Sequence, residues 1–326
     1  MSRLRPVLRW FLNLLGPAIL IYVLAKTDLR ALWQALLGTN LWLFGLSCLL
    51  VVPFLVLKGW RWLLILRAWK MPIPLSEATA LYSIGIFLGV VTPGQTGDAV
   101  KAWYMRRRGY PLSAGLASVV VDRLFDLLIM GALAASGLYF FWDVLPGGKL
   151  LNVVVVVGVL SVVILGLLIA GSRRIRALLW GRMLLPIIPA TLRERLRGTT
   201  GLHLAPRQLV VIGLVSALGL GLTFFRTYLL FLALDRPVPI GPFVALIAII
   251  ALVGTLSPGG VGTRDAAMIV GLAAIRHVST QTISPVALSL SALLLLLNIL
   301  NVIVGFLFSL RYPINTALAQ KSAEPV

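Results

Sequence analysis

Long unbroken apolar runs constrain this chain more than any other feature. Six of them, at about 9–25, 40–69, 112–142, 150–170, 207–235 and 282–310, are long enough or nearly so to cross about 30 Å of hydrocarbon. In that medium no water satisfies a backbone N–H or C=O, so a spanning segment must close its hydrogen bonds internally, as a helix does. With 60% hydrophobic and only 12% charged residues, the chain has too little polar surface to coat a soluble globule. The expected class is an all-α polytopic membrane protein: one transmembrane domain over 1–315 and a flexible tail over 316–326.

Two further apolar segments, 75–92 and 240–257, stop at Pro-Gly. The stretch after each stop is too short or too charged to cross back fully: Asp98, Lys101 and Arg106 to Arg108 come after the first, Arg264 and Asp265 after the second. Charge decides how these segments run. If each enters and leaves on one side, the N-terminal Arg3, Arg5 and Arg9, Arg67/Lys70, Arg106 to Arg108, the arginine-rich connection 171–206 and Arg311 all lie on the cytoplasmic side. Few basic residues then remain outside. A single full span at 75–92 would instead move the arginine-rich connection outward, against the positive-inside bias. The expectation is therefore about six full transmembrane helices plus two re-entrant broken helices, with both termini cytoplasmic in a bacterial inner membrane. Arg173, Arg174, Arg176 and Trp180 suit either an amphipathic helix on the inner leaflet or a solvated basic loop. The first apolar run lacks a small-residue cleavage site at Ala25-Lys26-Thr27-Asp28 and reads as a retained helix rather than a signal peptide.

Sliding the sequence by 165 positions exposes an internal repeat. Arg61 falls on Arg226, Pro72-Ile73-Pro74 on Pro237-Val238-Pro239, and Thr92-Pro93-Gly94-Gln95-Thr96-Gly97 on Ser257-Pro258-Gly259-Gly260-Val261-Gly262. Leucines align by chance in apolar sequence; prolines, glycines and an arginine in one register do not. The units, about 40–142 and 207–310, are separated by an odd number of crossings and so form an inverted repeat. Proline ends an entering half-helix by removing a donor, and glycine lets the backbone turn. The freed N–H groups of a returning half-helix suit an anion, and in transporters such breaks meet at the binding site.

Arg61 and Arg226 lie about eleven residues before their Pro-x-Pro turns, roughly 16 Å along a helix. A buried arginine costs about 2.5–3.5 kcal/mol at a helix centre, so each needs a partner. Capture of a phosphate or other anion is one reading; a structural ion pair, or snorkelling by Arg61, is the other. Asp122 and Asp126 are neighbours on one helix face beside Arg123, suited to pairing with Arg61 or Lys101 or to carrying a proton. Asp98 suits either a cap on the returning limb or a ligand contact. Arg264 and Asp265 occupy the same neighbourhood in the second unit, and Asn298 and Asn301 add neutral polarity in the last span.

Other chemistries find little support. The basic excess, 29 Lys+Arg against 10 Asp+Glu, lies in short loops between spans and argues against nucleic-acid binding. Cys48 is the one cysteine, and His203 and His277 lie far apart, so neither a disulfide framework nor a metal-ligand spacing exists. No nucleophile–base set, cofactor motif or nucleotide loop can be assembled. The chain is not expected to be an enzyme, although Asp122 and Asp126 leave an intramembrane transferase as a remote alternative.

Thr92-Pro93-Gly94-Gln95-Thr96-Gly97-Asp98-Ala99-Val100-Lys101-Ala102, the run 106–108, Ala117-Ser118 and Asp122-Arg123-Leu124-Phe125-Asp126 resemble the lysylphosphatidylglycerol synthase transmembrane-region family. Leu256-Ser257-Pro258-Gly259-Gly260-Val261-Gly262-Thr263-Arg264-Asp265-Ala266-Ala267 resembles its second signature, and the likeness covers nearly the whole chain. One departure is Asp98, where glutamate is common in the family. Larger members fuse this unit to a soluble aminoacyl-transfer domain; none is found in these 326 residues, so the resemblance implies movement of lipid between leaflets rather than synthesis. Relatives are linked to several lipids, including polyprenyl-phosphate sugars. The expected partners are thus membrane lipids with anionic or polyprenyl-phosphate-linked headgroups, with a homo-oligomer or a complex with a lipid-modifying enzyme as further arrangements. The rival function is an accessory subunit of such an enzyme. The expected lining is Arg61, Asp98, Lys101, Asp122, Arg123 and Asp126 inside, and Arg226, Arg264 and Asp265 outside. Pro93, Gly94, Gly97, Pro258, Gly259 and Gly262 shape the breaks.

Overall fold

In the computed structural model, residues 33, 36–90, 92–141, 204–254 and 262–312 are described. The apolar runs 9–25 and 150–170, nearly all of the connection 171–206, Pro258 and Gly259, and the tail lie outside the described residues. Among the described residues every regular element is helical, as the apolar runs require.

Helix α1 (Leu41–Leu49) begins where the Asn40 side chain accepts from the N–H groups of Trp42 and Leu43, at 3.1 and 3.3 Å. It passes almost directly into α2 (Val51–Ala68). Pro53 cannot donate to the Leu49 carbonyl, and the ladder tightens at Leu50, with ψ −4°. The apolar run 40–69 is therefore one membrane-crossing length in two pieces, Leu41–Ala68. Next come α3 (Leu75–Val90), a tight 3₁₀ segment (Pro93–Ala99), α4 (Val100–Arg107) and α5 (Leu112–Phe140). The second half holds α6 (Pro206–Ala233), α7 (Ile240–Gly254), α8 (Thr263–Arg276) and α9 (Thr280–Arg311). α6 and α9 are also long and apolar enough to cross a membrane.

The Pro-x-Pro turns have matching geometry. α2 ends with Lys70 at φ 58° and Met71 N–H bonded to the Leu66 carbonyl at 2.9 Å. α6 ends with Asp235 at φ 54° and Arg236 N–H bonded to the Phe231 carbonyl, also at 2.9 Å. Both are left-handed C-caps that satisfy a terminal carbonyl. Each following helix then starts on a proline carbonyl, Pro74 accepting from Ala78 and Pro239 from Phe243.

Packing exchanges the halves. α3 lies along α9, and α7 lies along α5, so the helix entering each break rests on the last helix of the other half. Close approach demands small residues there: a Cβ on Gly305 would fall 2.3 Å from the Ser83 carbonyl oxygen. One apolar core gathers Phe231, Phe243, Leu246, Leu290 and Leu293; a second gathers Trp62, Leu66, Leu81, Ile84 and Met105. Trp42, Val52, Leu214 and Leu307 point outward. An apolar outer face on such helices matches lipid as solvent.

Candidate functional site

The first helix break is built by contact. Thr92 Oγ1 accepts from Gly97 N–H at 2.7 Å, folding the 3₁₀ segment back against α3. A Cβ on Gly97 would lie 2.3 Å from the Leu88 carbonyl oxygen, so no other residue fits without displacing backbone. Gly85 makes room in the same way for the Asp98 carboxylate, whose Oδ1 would lie 2.2 Å from a Cβ there. The break thereby delivers Asp98 and Lys101 into the bundle.

They join a buried network with α2 and α5. Arg61 Nε donates to Asp122 Oδ1 at 2.8 Å, and its Nη groups engage both oxygens of Asp126. Tyr82 OH accepts from Arg61 Nη2 at 3.2 Å. Lys58 Nζ donates to Asp126 Oδ1 at 2.7 Å. Lys101 Nζ reaches Asp98 at 2.8 Å and Asp122 at 3.4 Å, and lies 4.1 Å from the Tyr82 ring centroid. Arg123 donates from Nε and Nη2 to Asp98 Oδ2, both at 2.9 Å, and from Nη1 to Gln95 at 2.5 Å. Arg61, Asp122 and Lys101 are almost wholly buried, at 1%, 0% and 0% exposure, whereas the Arg123 side chain stays 28% exposed. Four cations thus face three carboxylates, closed at depth and open at Arg123.

This arrangement decides between the sequence readings for several residues. All six residues expected on the inner side come together. Arg61 does not snorkel; it pairs with Asp122 and Asp126. Asp98 does not cap α4, which starts after Ala99 without any side-chain cap; its Oδ2 is drawn instead to Lys101 and Arg123, while its Oδ1 has no hydrogen-bond partner among the described residues. Sequence reasoning assigned no role to Lys58, Tyr82 or Gln95. The stripe of Phe54, Lys58 and Arg61 on one face of α2 was the available signal for Lys58.

The second half differs. Gly262 stands at φ 82°, a conformation that needs glycine, and its N–H donates to Asp265 Oδ2 at 3.1 Å. Asp265 therefore holds the start of α8 as an N-terminal acid, the role not taken by Asp98. Arg264, 6% exposed, donates from Nε to Ser291 Oγ at 3.0 Å and lies 3.7 Å from Asp265, while its Nη1 has no partner among the described residues. Ser291 also hydrogen-bonds Asp265 Oδ1. Arg226, 4% exposed, has no partner at Nε and makes no ion pair among the described residues; its guanidinium rests over the Phe54 ring at 5.0 Å. Asn301 Oδ1 is buried and unsatisfied among the described residues, while Asn298 is exposed. At the offset of 165, Asp122 corresponds to Ala287 and Asp126 to Ser291, so the acids that neutralise Arg61 have no counterparts around Arg226.

Neither the comparison with curated proteins nor that with solved structures finds a match. The family model described as the lysylphosphatidylglycerol synthase TM region matches residues 10–305, which includes both helix breaks and every charged residue of the site. The chain belongs to that family, a group of membrane proteins of lipid metabolism or transport.

Proposed function

We propose that the protein is a lipid translocase, moving an anionic or lipid-phosphate-linked headgroup between the leaflets of a bacterial inner membrane. The observation that carries this reading is the unequal charge balance of the two halves. Arg61 is neutralised by aspartates, whereas Arg226 is buried with no ion pair and an open Nε among the described residues. A buried, unneutralised arginine is costly in an apolar bundle and is retained where it meets an anion. Membership of a family of lipid metabolism or transport supports a lipid headgroup as that anion.

In this reading the headgroup is admitted at Arg123, the exposed edge of the network, and passes Asp98, Lys101, Asp122, Asp126 and Arg61. It leaves by Arg226, Arg264 and Asp265. The exchanged packing of α3 on α9 and α7 on α5 supports an inverted repeat whose halves rock against each other. The chain carries no catalytic step of its own and has both termini cytoplasmic. A second reading, an accessory subunit of a lipid- or glycan-modifying enzyme, is favoured by one observation: the closed network around Arg61 suffices to hold helices together without any ligand.

Proteoliposomes separate the two. The purified protein should move a labelled phosphatidylglycerol or polyprenyl-phosphate probe across the bilayer, and folded Arg226→Ala should slow it by about tenfold or more. No transfer of any anionic lipid by the wild-type protein would sink the translocase reading. Cysteines placed at 95 and 260, with Cys48 replaced, should label from opposite sides; labelling from one side would refute the inversion.

A further inference from the structure

α2 presents Phe54, Lys58 and Arg61 at spacings of four and three, one stripe along one face. The stripe leads from the aspartates of α5 to the unpaired arginine of α6. Lys58 is the surplus cation of the network. Its one carboxylate partner, Asp126, already has both oxygens engaged by Arg61. Arg226 is surplus in a stronger sense, being buried with no ion pair and an orphaned Nε among the described residues. The same aromatic ring serves both: Lys58 Nζ lies 6.0 Å and the Arg226 guanidinium 5.0 Å from the Phe54 centroid. The two cations are therefore no further apart than the sum of those distances, with one ring beside both. A ring face is a weak substitute for an anion, since it offers a quadrupole rather than a charge. Phe54 is itself only half-buried.

We propose that Lys58, Phe54 and Arg226 form a binding site for a phosphate-bearing anion, with the Phe54 ring as the gate that covers the two cations until the phosphate arrives. The guanidinium supplies planar paired donors and the ammonium a point charge, the combination that suits a phosphate ester. The site deepens the translocase reading, on which its role in transport rests. It is the step at which a headgroup passes from the neutralised half to the open one. Its existence as an anion site stands apart from whether lipid is moved.

The test is calorimetric titration of the full chain in uncharged detergent with three probes: dioctanoyl phosphatidylglycerol, dioctanoylglycerol with the same tails and no phosphate, and sn-glycerol 3-phosphate. The phospholipid should bind at least about tenfold more tightly than the diglyceride. Lys58→Met and Arg226→Gln should each weaken it by about tenfold, and Phe54→Ala should tighten it several-fold by removing the covering ring. Both cation variants should fold. Lys58→Met leaves Asp126 bonded to Arg61, and Arg226→Gln breaks no ion pair among the described residues. Binding of glycerol phosphate with the same variant sensitivity assigns the site to free phosphate esters; binding of the phospholipid alone assigns it to lipid. Wild-type affinity in both cation variants, equal binding of the diglyceride, or loss of binding in Phe54→Ala would overturn the proposal. Reconstitution in vesicles keeps the two readings apart. Phosphate binding without leaflet transfer keeps the site and removes the translocase, and transfer with binding indifferent to Lys58 and Arg226 does the reverse.

Discussion

Arg61 and Arg226 stand at the same point of two helices, each nine residues before a left-handed cap and eleven before a Pro-x-Pro turn of the same shape. Both are buried. One is held by two aspartates and a tyrosine hydroxyl; the other rests on a phenyl ring. The turn geometry recurs, and the counter-ions do not. Shared geometry therefore says where a cation sits, and only its neighbours say whether it is free to take a ligand. The first arginine organises the bundle; the second is left with charge to spend on something else.

The sharpest way to break this contrast is to remove Arg61. Asp122 and Asp126 would remain at depth with only Lys101 and Lys58, and losing one member of a buried ion network costs about 3–5 kcal/mol. Arg61→Met is expected to lower the thermal unfolding midpoint of the detergent-solubilised protein by many degrees. Adding Asp126→Asn to that variant should restore part of the loss, because the uncompensated carboxylate is then gone. An Arg61→Met protein as stable as wild type would show that the network does not organise the first half.

The helix breaks give the next largest effect, and again the halves differ in cause. Gly97 is required by contact, since a Cβ would meet the Leu88 carbonyl oxygen and carbon at 2.3 and 2.4 Å. Gly262 is required by torsion, with φ 82° but open space around its Cβ position. Gly97→Ala should cost about 1–3 kcal/mol through overpacking. It should also displace Asp98 and Lys101, so that Arg123 becomes more accessible to a water-borne arginine-directed reagent. Gly262→Ala should leave the charged network of the first half unaltered. Equal loss of the Asp98–Lys101 contact in both variants would show the breaks to be coupled.

Much of this architecture is legible in the sequence, and the rest is not, for physical reasons. Helix class, the position of the first break and the end of α8 at Arg276 follow from apolar run length and from Pro and Gly, which act locally on the backbone. The pairing of Asp122 and Asp126 with Arg61 was one of two open readings. Spacing puts two acids on one helix face but does not say which helix faces them. The roles of Asp98 and Asp265 could not be separated in sequence, because both follow the last glycine of a Pro-Gly-x-x-Gly element. Only the position of each carboxylate, against Gly85 and Lys101 or against the Gly262 N–H, tells a network member from a cap. The freedom of Arg226 was visible in principle: extending the 165-residue offset to Ala287 and Ser291 shows that its acids are missing.

The smallest expected effect is also the most discriminating. Arg226→Met should change stability by less than about 1 kcal/mol, or raise it, because an apolar side chain of similar length replaces a charge that no carboxylate among the described residues compensates. Its guanidinium gives up one ring contact with Phe54, worth about 0.5–2 kcal/mol, against a desolvation cost of at least that size. Beside the steep loss in Arg61→Met, a flat or rising unfolding midpoint here would mark Arg226 as kept for something other than folding. A fall as large as that of Arg61→Met would mean that the second arginine is structural too. The contrast between the halves would then reduce to a difference in how each is neutralised.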